Sequence, residues 1–386
     1  MLAHSHNLMV GGRVVPYLYG VDCASDIARV ITERVNVRGT VLLVADENVE
    51  EDASVLVRHL SDGMSVETYF VAAEERRKTF ASVEAIADHA VRHGVTRDSL
   101  LIAMGGGLVG NIAGLTASLL YRGMRFVHLP TTPIAAADSV VSLKQAVNLP
   151  SGKNLCGSYS APSLIACDLR WLTSVPPAEL MAGLAEMVKN VLAVTPHLES
   201  SLVQSLSRLR VAVHPEALAD IVRIGIEAKA PLLEGDPHER AEALIFEYGH
   251  TVGHALEFTS RGVMGHGEAV AWGMLVAAET SAAMGLLNAA DLAHHYRLVR
   301  HLGLPHPSER LAATELREVR EVLGADNKRG HIPCAADEIP MVLLEALGSP
   351  VRGESGRPVV PVRDKVVMRA LETVMRADSW PELPVE

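Results

Sequence analysis

The segment FEYGHTVGHALE, residues 246–257, places Glu247, His250 and His254 at spacings of three and four. On a helix those spacings project side chains from one face, so a polar stripe is expected here, with Val252, Ala255 and Leu256 turned elsewhere. Imidazole and carboxylate are the donors that a zinc-class ion accepts. The order differs from that of a metalloprotease helix, in which the glutamate directly follows the first histidine. Glu247 instead precedes His250 by almost one turn. That position suits an acid/base group acting on substrate, or a partner that orients a histidine through a hydrogen bond.

Two other segments carry matching chemistry. MGHGEAVAWGM sets His266 between glycines at a helix start, and GLAEMVKN puts Glu186 on a helix with Lys189 one turn further on. Two histidines and a carboxylate from three helices leave open positions on a divalent ion, as catalysis requires. Any one of these residues taken singly also suits a structural role.

A second constellation lies earlier. SLLIAMGGGLVGNIAGL runs from an apolar strand into a helix through Gly105, Gly106 and Gly107, with Gly110 completing the GxGxxG spacing. Such a turn lets a pyrophosphate approach the backbone and the unpaired N–H groups of the helix start. The acidic residue expected about twenty positions on is absent, so the pattern also fits a plain tight turn. Asp46, at the end of VLLVAD, together with Asn48, Glu75 and Lys78, offers alternative contacts for a ribose or adenine. Each of the four also suits a loop charge or turn residue, Asn48 and Lys78 equally well.

The elements that would hold these groups fall into two classes. From about residue 38 to 170, the runs GTVLLVAD, SVETYFVA, SLLIAMGGG, FVHLPTT and SLIACDL alternate with amphipathic segments, the pattern of strands buried between helices in a parallel sheet. Beyond SVPPAEL the segments are Ala- and Leu-rich at helical period. The expectation is therefore an α/β Rossmann-like nucleotide-binding domain over 1–173 and a mostly α-helical metal- and substrate-binding domain over 174–386, with a Pro- and Gly-rich irregular arm before one last short helix.

Composition narrows the function. A formal charge of −11 over 386 residues disfavours nucleic acid and anionic membrane surfaces, so an anionic ligand needs a local cationic cluster. The four cysteines show no CxxC spacing and no stretch is apolar enough to span a bilayer, which fits a soluble cytoplasmic protein.

Taken together, GGGLVGN, YRG before LPTT, ADSVVSLKQAVNLPSGKN, GLAEMVKN and FEYGHTVGHALE followed by GHGEAV resemble the sugar phosphate cyclase family, of which dehydroquinate synthase is the best-known member. The resemblance reaches from Asp46 to DNKRG at 326–330. It implies NAD and a divalent metal, zinc or cobalt, held by Glu186, His250 and His266. It implies cofactor contacts at Asp46, Asn48, Glu75, Lys78, Gly105, Gly106, Gly107, Thr131, Thr132 and Asp138. Lys144, Lys189, Glu247 and His254 match catalytic positions, and Arg122, Lys153, Asn154, Lys229 and Lys328 match substrate- or phosphate-binding positions. A homodimer is the family expectation.

Within the family the likeness is greatest to the branch that converts glucose 6-phosphate to a carbocycle in aminoglycoside antibiotic pathways. Asn111, Glu247 and Ala243 stand where dehydroquinate synthases carry Asp, Asn and Arg. Without that arginine, a carboxylate-bearing heptulosonate lacks a bidentate partner. The implied chemistry is transient oxidation at C4, loss of the C5 proton and of phosphate, return of the hydride, then ring opening and aldol closure. Alternatives are dehydroquinate synthase or another cyclase, a metal-dependent polyol dehydrogenase, and a scaffold that keeps the fold without activity.

Overall fold

The computed structural model describes residues 1–35, 37–150, 152–310, 316–324 and 330–376. The chain divides into two compact units, Met1–Val175 with Val213–Ile226, and Pro176–Ala212 with Glu227–Glu386. The return of Val213–Ile226 to the first unit has no counterpart in the sequence pattern, which is Ala- and Leu-rich at helical period throughout this half.

The first unit contains β1 (Leu2–Val10), β2 (Arg13–Gly20), α1 (Ala24–Arg34), β3 (Val41–Asp46), α2 (Glu50–Leu60), β4 (Val66–Val71), α3 (Phe80–Arg92), β5 (Leu100–Gly105), α4 (Gly107–Leu119), β6 (Arg125–Pro130), α5 (Pro133–Ala137), β7 (Lys144–Leu149), β8 (Gly152–Tyr159) and β9 (Leu164–Asp168). Seven strands form one sheet in the order β1-β2-β9-β6-β5-β3-β4, parallel except for the β1–β2 hairpin. Every residue of β3 and β5 is buried, because helices cover both faces. Ile27 and Leu56 from α1 and α2 pack with Leu43 and Ile102 on one face, and Ile86 and Ile112 from α3 and α4 pack with Leu42 and Leu101 on the other. Burying each such side chain contributes about 1.5–3 kcal/mol, enough for packing rather than propensity to place these strands.

The strand order reverses between β3 and β5, where the chain goes out to β4 and returns to the other side of β3. Ligands bind outside the carboxyl ends of strands at such a crevice. The β1–β2 and β7–β8 hairpins are additions to the expected pattern.

The second unit contains α6 (Pro177–Gly183), α7 (Ala185–Ala193), α8 (Glu199–Val211), the later part of α9 (Pro215–Gly235), α10 (His250–Thr259), α11 (His266–Ala283), α12 (Ala289–Arg300), α13 (Leu316–Leu323), β10 (Glu338–Met341), β11 (Leu344–Ala346), β12 (Ser349–Pro350), β13 (Val360–Arg363) and α14 (Asp364–Met375). The carboxyl-terminal arm is more regular than expected, since β10 pairs with β13 and β11 with β12. No described helix is long and apolar enough to cross a membrane.

Backbone contact sets the helix spacing around the histidines. Gly249 adopts φ +78°, and a Cβ there would lie 2.7 Å from Met274 Cγ and 2.9 Å from Met274 N. A Cβ on Gly273 would lie 2.0 Å from Gly249 O. Only the smallest residue lets α10 and α11 meet this closely.

Candidate active site

Glu186, His250 and His266 converge in the second unit, with donor atoms within 4.8 Å of one another. Glu186 lies in the first turn of α7, while His250 and His266 are the first residues of α10 and α11. A Cβ on Gly267 would lie 1.9 Å from Ala182 O, so the start of α11 is pressed against the chain leading into α7. The Glu186 carboxylate stands 3.4 Å from His250 Nε2 and 3.5 Å from His266 Nε2. Donors around a tetrahedral zinc are separated by about 3.3 Å, so the group fits an ion with little movement.

The remaining ring nitrogens hold the imidazoles in place. His250 Nδ1 donates to the Tyr248 carbonyl at 3.2 Å, and His266 Nδ1 lies 3.0 Å from Glu257 Oε2. Both Nε2 atoms thereby face Glu186 and are the nitrogens a metal would use. Burial raises the Glu186 pKa, but the Lys189 ammonium and then His250 and His266 outweigh it and hold the carboxyl well below its usual range. For His266, burial opposes protonation, yet the Glu186 and Glu257 carboxylates prevail and lift it to about 10. An ion must therefore displace a proton from this ring. Glu186 is 4% exposed and His266 46%, which leaves one side of the group accessible.

Lys189 pairs with Glu186, and both are buried. Lys189 and Lys229 set their ammonium groups 5.8 and 5.1 Å from the centre of the Phe246 ring. His254 completes the cluster, its ring 5.2 Å from His250 and 5.8 Å from His266.

The shared helical stripe expected for Glu247, His250 and His254 does not form. Glu247 ends a short 3-10 segment, Glu242–Glu247, and left-handed Gly249 breaks the chain before α10. His250 and His254 alone share the helix. Glu257 and Asn190 escaped the sequence reading. Glu257 follows His250 by seven residues, a same-face spacing that marks it. Asn190 is fully buried in α7, with no hydrogen-bond partner among the described residues for either side-chain polar atom.

In the first unit, the expected cofactor positions gather at the carboxyl ends of four adjacent parallel strands. Ala45 pairs with Met104 and Gly105 with Pro130, so Asp46, the glycine turn and Thr131 follow side by side. A Cβ on Gly106 would lie 3.2 Å from Thr132 Cγ2, and one on Gly107 3.1 Å from Ser139 Oγ, so side chains there would fill the cradle. The first N–H groups of α4 have no acceptor within the helix, the feature by which helix starts receive anions. Thr132 caps α5 through Ala135 N at 3.2 Å, and Asp138 ends that helix. Asp46 Oδ1 accepts from both Asn48 nitrogens at 2.9 Å, which commits one carboxylate oxygen and places Asn48 as its support.

Glu75 accepts from Asn148 Nδ2 at 2.7 Å and lies 3.8 Å from Lys153 Nζ. Lys78 Nζ donates to Asn154 Oδ1 at 2.5 Å, and burial lowers its pKa. These bonds join the chain after β4 to the β7–β8 hairpin, whose Lys144 and Lys153 side chains are exposed. Arg122 is exposed just beyond α4, at the opposite end of that helix from the glycine turn. Lys328 lies outside the described residues.

Residues 68–182 match the family 3-dehydroquinate synthase N-terminal, and residues 183–329 match 3-dehydroquinate synthase C-terminal. A 2-deoxy-scyllo-inosose synthase of Streptomyces lividus is 40% identical over 90% of this chain and 89% of its own length. The chain belongs to the dehydroquinate synthase family. The crystal structure of a 2-deoxy-scyllo-inosose synthase complexed with carbaglucose-6-phosphate, NAD+ and Co2+ superposes with a TM-score of 0.86 at 30% identity, covering 95% of this chain and 99% of that one. A 2-epi-5-epi-valiolone synthase from Streptomyces hygroscopicus with NAD+ and Zn2+ bound shares the fold, with a TM-score of 0.79 at 24% identity and coverage of 93% and 96%. The dehydroquinate synthase family comprises sugar phosphate cyclases, which sets the class of reaction.

Proposed function

We infer that this chain is a 2-deoxy-scyllo-inosose synthase, a phosphate-eliminating carbon–oxygen lyase acting on glucose 6-phosphate in aminoglycoside biosynthesis. The observation that carries the reading is the Glu186–His250–His266 group, oriented by Glu257 and Tyr248, in a chain whose glycine turn carries no side chains to fill it. When bound, the ion polarises the C4 oxygen while NAD takes up and later returns the C4 hydride.

The chain's own residues supply the rest. Glu186, His250 and His266 hold the ion, and the first turn of α4 holds the pyrophosphate, with Asp46 and Glu75 at the ribose and adenine end. Lys144, Lys153, Asn154 and His254 meet the departing phosphate. Lys189, Lys229 and Lys328 complete the cationic set that an acidic chain needs for an anionic substrate, and Arg122, at the far end of α4, is left out of it. Glu247 moves the C5 proton during elimination. An E247Q variant should keep its metal and NAD while losing about 10²–10⁴ in turnover, and full turnover would remove that role.

Substrate choice rests on what surrounds position 243. Ala243 is fully buried and offers no charge to a substrate carboxylate. Asn111 serves a different end. Its Nδ2 donates to Gly107 O at 2.7 Å and its Oδ1 accepts from Ala146 N at 3.0 Å, a clamp an aspartate cannot reproduce because it has no donor. Asn111 thus ties the glycine turn to β7.

Purified protein with NAD, cobalt or zinc and glucose 6-phosphate should release phosphate and yield a carbocyclic ketone without accumulating NADH. Phosphate release from a heptulosonate phosphate alone would point to dehydroquinate synthase, and rising NADH absorbance to a polyol dehydrogenase. A cytoplasmic homodimer completes the proposal, and solution mass measurement tests the assembly.

A further inference from the structure

A second group of described side chains brings two imidazoles and a carboxylate together: Glu67, His89 and His93, whose donor atoms also lie within 4.8 Å of one another. Glu67 is the second residue of edge strand β4, toward the opposite end of the sheet from Asp46 and the glycine turn. His89 lies in the last turn of α3 and His93 caps that helix. Their spacing of four puts both rings on one face, with centroids 4.1 Å apart. Glu67 Oε1 lies 2.9 Å from His89 Nε2 and 3.8 Å from His93 Nε2. These distances bracket the roughly 3.3 Å between donors on a tetrahedral ion.

The rings are already aimed. His93 Nδ1 donates to the His89 carbonyl at 2.8 Å, which leaves Nε2 with its lone pair toward Glu67. Tyr69 shares a face of β4 with Glu67 and sets its ring edge-on to His89, centroids 5.0 Å apart at 66°. The carboxyl end of α3 favours a cation. Neighbouring Arg92 is engaged by Asp88 at 2.8 Å, and among the described residues the ion-pair partners of Glu67 are the two histidines.

We propose that Glu67, His89 and His93 bind a second divalent transition-metal ion of the zinc class, which fastens the edge strand to the end of α3. Mixed imidazole and carboxylate donors suit zinc, cobalt or nickel better than magnesium or calcium. The half-exposed setting leaves the remaining positions to water, so this ion staples and does not act on substrate. An edge strand held in this way is less available to pair with another chain.

The test counts zinc on the full-length protein after chelation and dialysis against buffered free zinc. Wild type is expected to retain two ions per chain, E186Q one, H89N/H93N one, and the combined triple variant none. Turnover of H89N/H93N with zinc or cobalt should equal that of wild type. E67Q, isosteric and with both rings intact, should also bring the count to one. A wild-type count of one overturns the assignment, as does a count left unchanged by H89N/H93N or by E67Q.

Discussion

Glu186, His250 and His266 use the same donors as Glu67, His89 and His93, in different surroundings. The Glu186 carboxylate is 4% exposed and pairs with buried Lys189, whereas the Glu67 carboxylate is 31% exposed and pairs with His89 and His93. In the first group all three donors stand at helix starts, and a second carboxylate, Glu257, backs one ring. In the other, one donor sits on a strand and two at the end of a helix. Donor type selects the class of ion, while burial and the charges behind the ligands decide whether it can do chemistry. In a dry setting each charge acts strongly on a bound substrate, and beside water the same charges are screened.

The sharpest test of that contrast is E186Q, expected to lower turnover about 10³-fold or more, because Lewis-acid polarisation is worth several kcal/mol. Comparable loss in H89N/H93N would erase the distinction between the two groups. Next is K189M, which leaves the buried Glu186 carboxylate without its cation. Breaking such a pair costs about 3–5 kcal/mol, so metal-free K189M should unfold at markedly lower denaturant, and zinc should restore most of the difference. Smaller again is E257Q, expected to weaken metal binding about 10- to 100-fold by loosening His266, read from competition with a chelator. An unchanged affinity would show that Glu257 does not help hold the ion.

Much of this is legible in the sequence itself. The apolar runs ending in Asp46 and Gly105 announced buried parallel strands because burial on both faces leaves no alternation to see. Glycines beside His266 marked a helix start for the same reason that glycines mark close approach. Glu247 was misplaced because a spacing of three looks helical whether or not a left-handed Gly249 interrupts it. Glu67 was invisible as a partner of His89, since 22 residues separate them and only the return of α3 onto β4 joins them. Asn111 stands out in the sequence only as a departure from dehydroquinate synthases, and the clamp it makes depends on a strand more than thirty positions away.

Gly249, Gly267 and Gly273 give the Glu186–His250–His266 group, the proposed metal holder, its dimensions through main chain resting on main chain. Ligand spacing is therefore inherited from the backbone and is indifferent to drift among core side chains, yet one added methyl group at any of the three would prise the helices apart. Divergence toward a new sugar has to proceed around such a holder, at places like Ala243, while the holder itself stays as it is.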